Sequence, residues 1–143
     1  MAGYETLLAR GLIKPFKAEP SQIEAQLRLA RRDLKAAAEM LDKVLDWAFN
    51  IAYKAVLQAT RGLIYSEGYR LSGGEGNHKA AIQFAEMALG NDLKTEVRFF
   101  DRMRIKRNQA VYDTAGIISR REAEQAIKFS ELLVEIISDF LKK

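Results

Sequence analysis

The chain contains no cysteine, which excludes disulfides and every thiolate metal site. It has a single histidine, His78, so one copy of the chain cannot assemble a multi-histidine metal centre. Only two prolines occur, Pro15 and Pro20, and both lie before the first long apolar pattern. Everything after residue 20 is therefore free of the residue that most strongly breaks helices. No uninterrupted apolar run is long enough to span a bilayer, and the polar start lacks the apolar core of a secretory signal. These absences point to a soluble, cytoplasmic protein with no membrane contact, no metal and no cofactor.

What remains is enough for one core. The chain has 143 residues, 48% of them apolar, with a formal net charge of +4 and a pI near 9.4. That balance permits an anionic partner without demanding one. Residues 4–10 read as a short amphipathic turn with Leu7 and Leu8 packing down, and Gly11 ends it. Pro15 and Pro20 keep the following link extended. Ser21 and Glu24 have capping-box spacing, predicting a helix from Gln22 with Ile23, Leu27, Ala30, Leu34, Ala37 and Leu41 buried. Residues 43–66 are apolar nearly all round, apart from a line of Asp46, Asn50, Lys54 and Gln58 at four-residue spacing. Such a helix belongs at the centre of a bundle. Tyr53 on it reads as a core residue whose hydroxyl is directed to a partner.

Residues 68–77 form the clear loop. Its Gly73-Gly74-Glu75-Gly76 is a weak phosphate-loop signal, since no strand is expected before it and no Lys-Ser/Thr follows. Asn77 is the expected N-cap of a helix over 79–89 that Gly90 and Asn91 close, and His78 reads as a local packing residue in its first turn. Ser119 and Glu122 make a second capping box, opening a last helix over 120–141. No segment reads as a strand. The expected fold class is all-α, an up-and-down bundle of about five helices. The expected organisation is a short helix and extended arm over 1–20, then a single bundle domain over 21–143.

The stretch with the most chemistry is residues 98–113, RFFDRMRIKRNQAVYD, within a helix predicted over 92–114 and ended by Gly116. At about 100° per residue, Leu93, Val97, Phe100, Met103, Ala110 and Val111 share one arc, and Arg107 falls in its middle. A guanidinium on a core face keeps its proton and must find acceptors. Arg104, Asn108 and Tyr112 repeat every four residues as a polar stripe beside that arc, whereas Arg98, Arg102 and Lys106 follow a farther, solvated face. Arg104, Arg107, Asn108 and Tyr112 are therefore the candidate lining of a cleft or interface.

The layout resembles the HEPN superfamily, in particular its small stand-alone prokaryotic members. The resemblance rests on DWAFNIAYKAVLQATRGLIYSEGYR, then the loop with His78, then RNQAVYD near the end of the fourth main helix and a final amphipathic helix. It covers roughly residues 21–143. It implies a helical bundle that pairs as a homodimer. Catalytic members are metal-independent ribonucleases that carry an arginine and a histidine on one helix, separated by four to six residues. Arg107 and Asn108 match the start of that motif, and the histidine position falls on Tyr112. Arg107 and Tyr112 are thus the candidate catalytic pair. Tyrosine, with a reference pKa near 10, is a poor base where histidine is a good one. The leading expectation from the resemblance is a dimeric module that binds RNA or a nucleotide in a cleft lined by Arg104, Arg107, Asn108 and Tyr112, with weak or no cleavage. A metal-independent endoribonuclease of a toxin–antitoxin pair, held by a nucleotidyltransferase-like partner protein, is the alternative. A protein-interaction module is the third reading.

Overall fold

A computed structural model describes residues 3–74, 76–113 and 115–142, with Asp113 by its backbone alone. The described residues form an all-α bundle with one very small sheet. In chain order the elements are α1 (Glu5–Ala9), β1 (Ile13–Pro15), α2 (Pro20–Met40), α3 (Leu45–Ser66), β2 (Tyr69–Leu71), α4 (Asn77–Leu89), α5 (Lys94–Asn108) and α6 (Arg120–Leu141). A single 3₁₀ turn (Asn91–Leu93) leads into α5, and a π turn (Gln109–Asp113) follows it. The five principal helices expected from periodicity are α2 to α6.

The central position of α3 follows from its composition. It packs against α2, α6, α4 and α5, and Ala48, Ala52, Ala55 and Ala59 on it are completely buried. Small side chains let several helices approach one axis at once. The deepest large side chains are Tyr53, Leu63 and Ile64 of α3, Phe84 of α4, Phe100 of α5 and Leu133 and Ile137 of α6. The N-terminal arm joins this core: Tyr4, Leu7 and Ile13 are buried, and Tyr4 stacks on Phe84 at 4.1 Å between ring centroids. The Tyr4 hydroxyl also donates to the Glu67 carboxylate at 2.9 Å, which ties the arm to the end of α3.

Several sequence expectations are corrected. The arm is not merely extended: β1 pairs antiparallel with β2, with Ile13 opposite Leu71 and Pro15 opposite Tyr69. Three residues containing a proline are too short for an alternation signal, so only the tertiary pairing reveals them. Helix α2 starts slightly earlier than expected. Glu19, not Ser21, closes a capping box with Gln22, and Pro20 takes the first helical position. Gly76, at φ 80°, precedes α4 where Asn77 was expected as the cap. β2 does precede the glycine-rich loop, though that loop includes Glu75, outside the described residues.

The helix predicted over 92–114 is also not one α-helix, and its last residue, Thr114, lies outside the described residues. The wider π turn rotates the chain out of α-helical register, so Ala110 stays buried while Val111 is 46% exposed rather than inward. The second capping box stands as read: Ser119 accepts from the Glu122 N–H at 3.1 Å, and the Ser119 N–H donates to the Glu122 carboxylate at 3.0 Å.

Candidate anion-binding cleft

Three elements converge on one cleft. The C-terminal end of α5 brings Arg107, α3 brings Asn50, Tyr53, Lys54, Leu57 and Arg61, and the first turn of α4 brings His78. These side chains line a cavity of about 240 Å³. The α3 contribution follows from helical spacing: residues 50, 54, 57 and 61 are successive neighbours on one face. Asn50 and Lys54 belong to the narrow polar line that interrupts an otherwise apolar helix.

Arg107 is held by neutral groups. Its Nε donates to Asn50 Oδ1 at 2.9 Å and its NH1 donates to Asn108 Oδ1 at 3.1 Å. The guanidinium also lies 5.8 Å from the Tyr53 ring centroid and 5.6 Å from that of Tyr112, within cation–π range. Among the described side chains no carboxylate pairs with it. Arg61 is likewise matched to an amide, donating to Gln58 Oε1 at 3.4 Å. The two arginines are therefore oriented without being neutralised by any described carboxylate. Arg104, by contrast, donates through Nε to Asp101 at 2.9 Å and sits beside the cavity rather than in its lining.

The ionisable groups respond to a positive pocket. Burial pushes the Tyr53 phenol well above its ordinary range, with Arg107 and Arg104 pulling the other way, so it stays protonated. Its hydroxyl is 3.1 Å from His78 Nδ1. His78 is held below the ordinary histidine pKa of 6.5, first by burial and then by the charges of Arg107, Arg61 and Arg104. It is neutral at pH 7.

Of the residues singled out from sequence, Arg107 and Asn108 meet directly and Tyr112 lies against Arg107. Arg104 is a step removed. Tyr112 is 71% exposed, because the π turn carries it toward solvent. Asn50, Lys54, Arg61 and His78 are additional cleft residues that sequence reasoning passed over. The four-residue polar line on α3 was the available signal for the first two. Nothing in the sequence places His78 opposite Arg107.

Next to the cleft, and sharing Asn50 with it, a shallow cavity of about 230 Å³ is lined by Val44, Trp47, Ala110 and Val111. Trp47 is 55% exposed there. On another face of α5, Phe49, Phe99, Met103 and Ile105 line a cavity of about 370 Å³, with an ion pair between Lys106 and Glu122 at its edge. Among the described residues, no group of three or more His, Cys, Asp or Glu residues is arranged to hold a metal ion, and no helix is long and apolar enough to cross a membrane.

The family model described as the HEPN domain matches residues 23–140. The chain belongs to the HEPN family. The matched region runs from the first turns of α2 almost to the end of α6, so it holds every helical cleft residue named above. A crystal structure of TT1696 from Thermus thermophilus shares the HEPN chain's fold, with a TM-score of 0.63 at 22% identity. The superposition covers 82% of this chain and 97% of that one. A comparison with curated proteins gave no match.

Proposed function

We propose that this HEPN protein is a homodimeric module that binds RNA or a nucleotide through the cleft around Arg107, with weak or no cleavage by the α5 motif itself. The observation that carries the reading is the state of Arg107: a half-buried guanidinium fixed by two amide oxygens, with no described carboxylate to cancel its charge. Held in this way, a planar fork is ready for a phosphate, and a charge-assisted contact is about twice as strong as a neutral one. Asn108 orients the fork from one side and Asn50 from the other. Tyr112 offers an exposed ring on which a base can stack. Tyr112 occupies the motif's histidine position without a histidine's acid–base chemistry, which is why the motif supports binding more than cleavage.

The apolar surface of Val44, Trp47 and Val111 adjoins the cleft, and we assign it to the dimer contact. A two-fold pairing there sets the two Arg107 clefts beside one another.

The decisive comparison is Arg107→Ala against Arg98→Ala, titrated with the same RNA oligonucleotide at one salt concentration. Arg98 lies exposed on α5 and contributes only diffuse, screened attraction. Arg107→Ala is expected to weaken binding about tenfold or more, and Arg98→Ala by less than about threefold. Equal losses in two proteins of unchanged thermal stability would remove the cleft from the account.

A further inference from the structure

We propose that the cavity between α3, α4 and α5 takes a terminal phosphomonoester, and that His78 is its proton-coupled ligand. The inference rests on the reading of the cleft as a phosphate site and narrows it to one chemical class.

Size and charge argue for an end rather than a mid-chain linkage. At about 240 Å³ the cavity is below the roughly 300–1,000 Å³ of pockets that enclose a whole small ligand. It has room for a phosphate group, and an internal diester would have to enter and leave with chain on both sides. Lys54, Arg61 and Arg107 face it, and no described carboxylate lines it. A monoester near neutral pH carries close to two negative charges, against one for a diester. An adjoining cavity of about 200 Å³ shares Arg61 and adds Tyr65, Arg70 and Asn77. Asn77 Oδ1 is buried there with no hydrogen-bond partner among the described residues, so an attached nucleoside finds both an aromatic ring and an acceptor.

His78 completes the site because its protonation can follow the ligand's charge. The groups facing it are Tyr53, Lys54 and Arg61 from α3 and Arg104 and Arg107 from α5, with Asp101 already engaged by Arg104. In the empty cleft burial, and after it that cationic field, favours neutral imidazole. A bound dianion offsets that field and, by accepting a hydrogen bond from the ring, favours imidazolium. The Tyr53 hydroxyl accommodates both states, since it donates to Nδ1 of the neutral ring and accepts from Nδ1–H of the charged one. Ligand binding and proton uptake at His78 are then reciprocally linked. Because the folded pKa starts low and rises on binding, affinity increases as pH falls through the interval between the two values.

The chain's single histidine makes this directly measurable. Its imidazole C2–H resonance is titrated by NMR in the intact protein, alone and with saturating adenosine 5′-monophosphate. The parallel arms are a 5′-phosphorylated RNA oligonucleotide, the same oligonucleotide lacking that phosphate, and inorganic phosphate. The expected result is a pKa below 6.5 without ligand that rises by about one unit with the phosphorylated probes, equivalent to about a tenfold tightening across the interval. His78→Gln should bind these probes with no proton uptake beyond that of the phosphate itself, whose second ionisation lies near 6. Binding of the nucleotide but not the oligonucleotide would identify a free nucleotide as the source. The reverse would identify an RNA end. Either result supports the assignment. Equal binding of the two oligonucleotides would overturn the terminal-phosphate claim while leaving an RNA cleft intact, and a His78 pKa unmoved by bound ligand would overturn its role. Binding of no probe at all would remove the underlying phosphate-site reading.

Discussion

At the scale of single residues, the cleft shows how burial and charge divide roles among similar side chains. Arg98, Arg104 and Arg107 share one helix, yet one is exposed, one is neutralised by Asp101 and one is held by amides. Arg107 was legible in the sequence because a cation at the centre of an apolar arc needs a reason. His78 was not, because its significance comes entirely from facing α3 and α5. Its depressed pKa also has a consequence for stability. Above the ordinary value of 6.5 it is neutral whether the chain is folded or not. As pH falls below that value the unfolded chain takes up a proton that the folded one resists, so stability is lost. The urea midpoint is therefore expected to fall between about pH 7.5 and about pH 5.5, and the fall should be smaller in His78→Gln. Glu122, held low by its backbone hydrogen bond at Ser119, loses its contribution only below its ordinary 4.5, so the two windows are separable.

At the scale of elements, termini and helix pitch are where expectation and structure part. The start of α6 was readable because Ser119 and Glu122 satisfy each other locally, with no help from the rest of the fold. The start of α2 had two overlapping local solutions, and the Glu19–Gln22 box with Pro20 in the first helical position is the one adopted. Ser119→Ala is expected to cost about 1 kcal/mol, seen as a lowered melting temperature of a few degrees, whereas Ser21→Ala should change stability by less than about 0.5 kcal/mol. A substantial loss in Ser21→Ala would contradict the assignment of the cap to Glu19. The π turn is the larger departure. Periodicity assumes a constant advance of about 100° per residue, and that assumption fails over Gln109–Asp113, which is why Val111 and Tyr112 face outward. Wide turns of this kind recur at functional sites, and here one sets Tyr112 against Arg107.

At the scale of the whole molecule, the proposed dimer joins the exposed Trp47 and Val111 to the cleft. Light scattering at micromolar concentration is expected to give about twice the 16.2 kDa chain mass, and Trp47→Glu should shift it toward the monomer by placing a charge in the contact. A wild-type mass of one chain would remove the dimer and the paired clefts together.

The all-α class, the five principal helices, the centrality of the alanine-rich α3 and the prominence of Arg107 could all be read along the chain. Each of these is written in residue spacing that repeats along one helix. The β1–β2 pairing, the outward turn of Tyr112 and the meeting of His78 with Tyr53, Arg61 and Arg107 emerge only once the helices are packed. Those depend on which helix faces which, and periodicity within one helix carries no record of its neighbour.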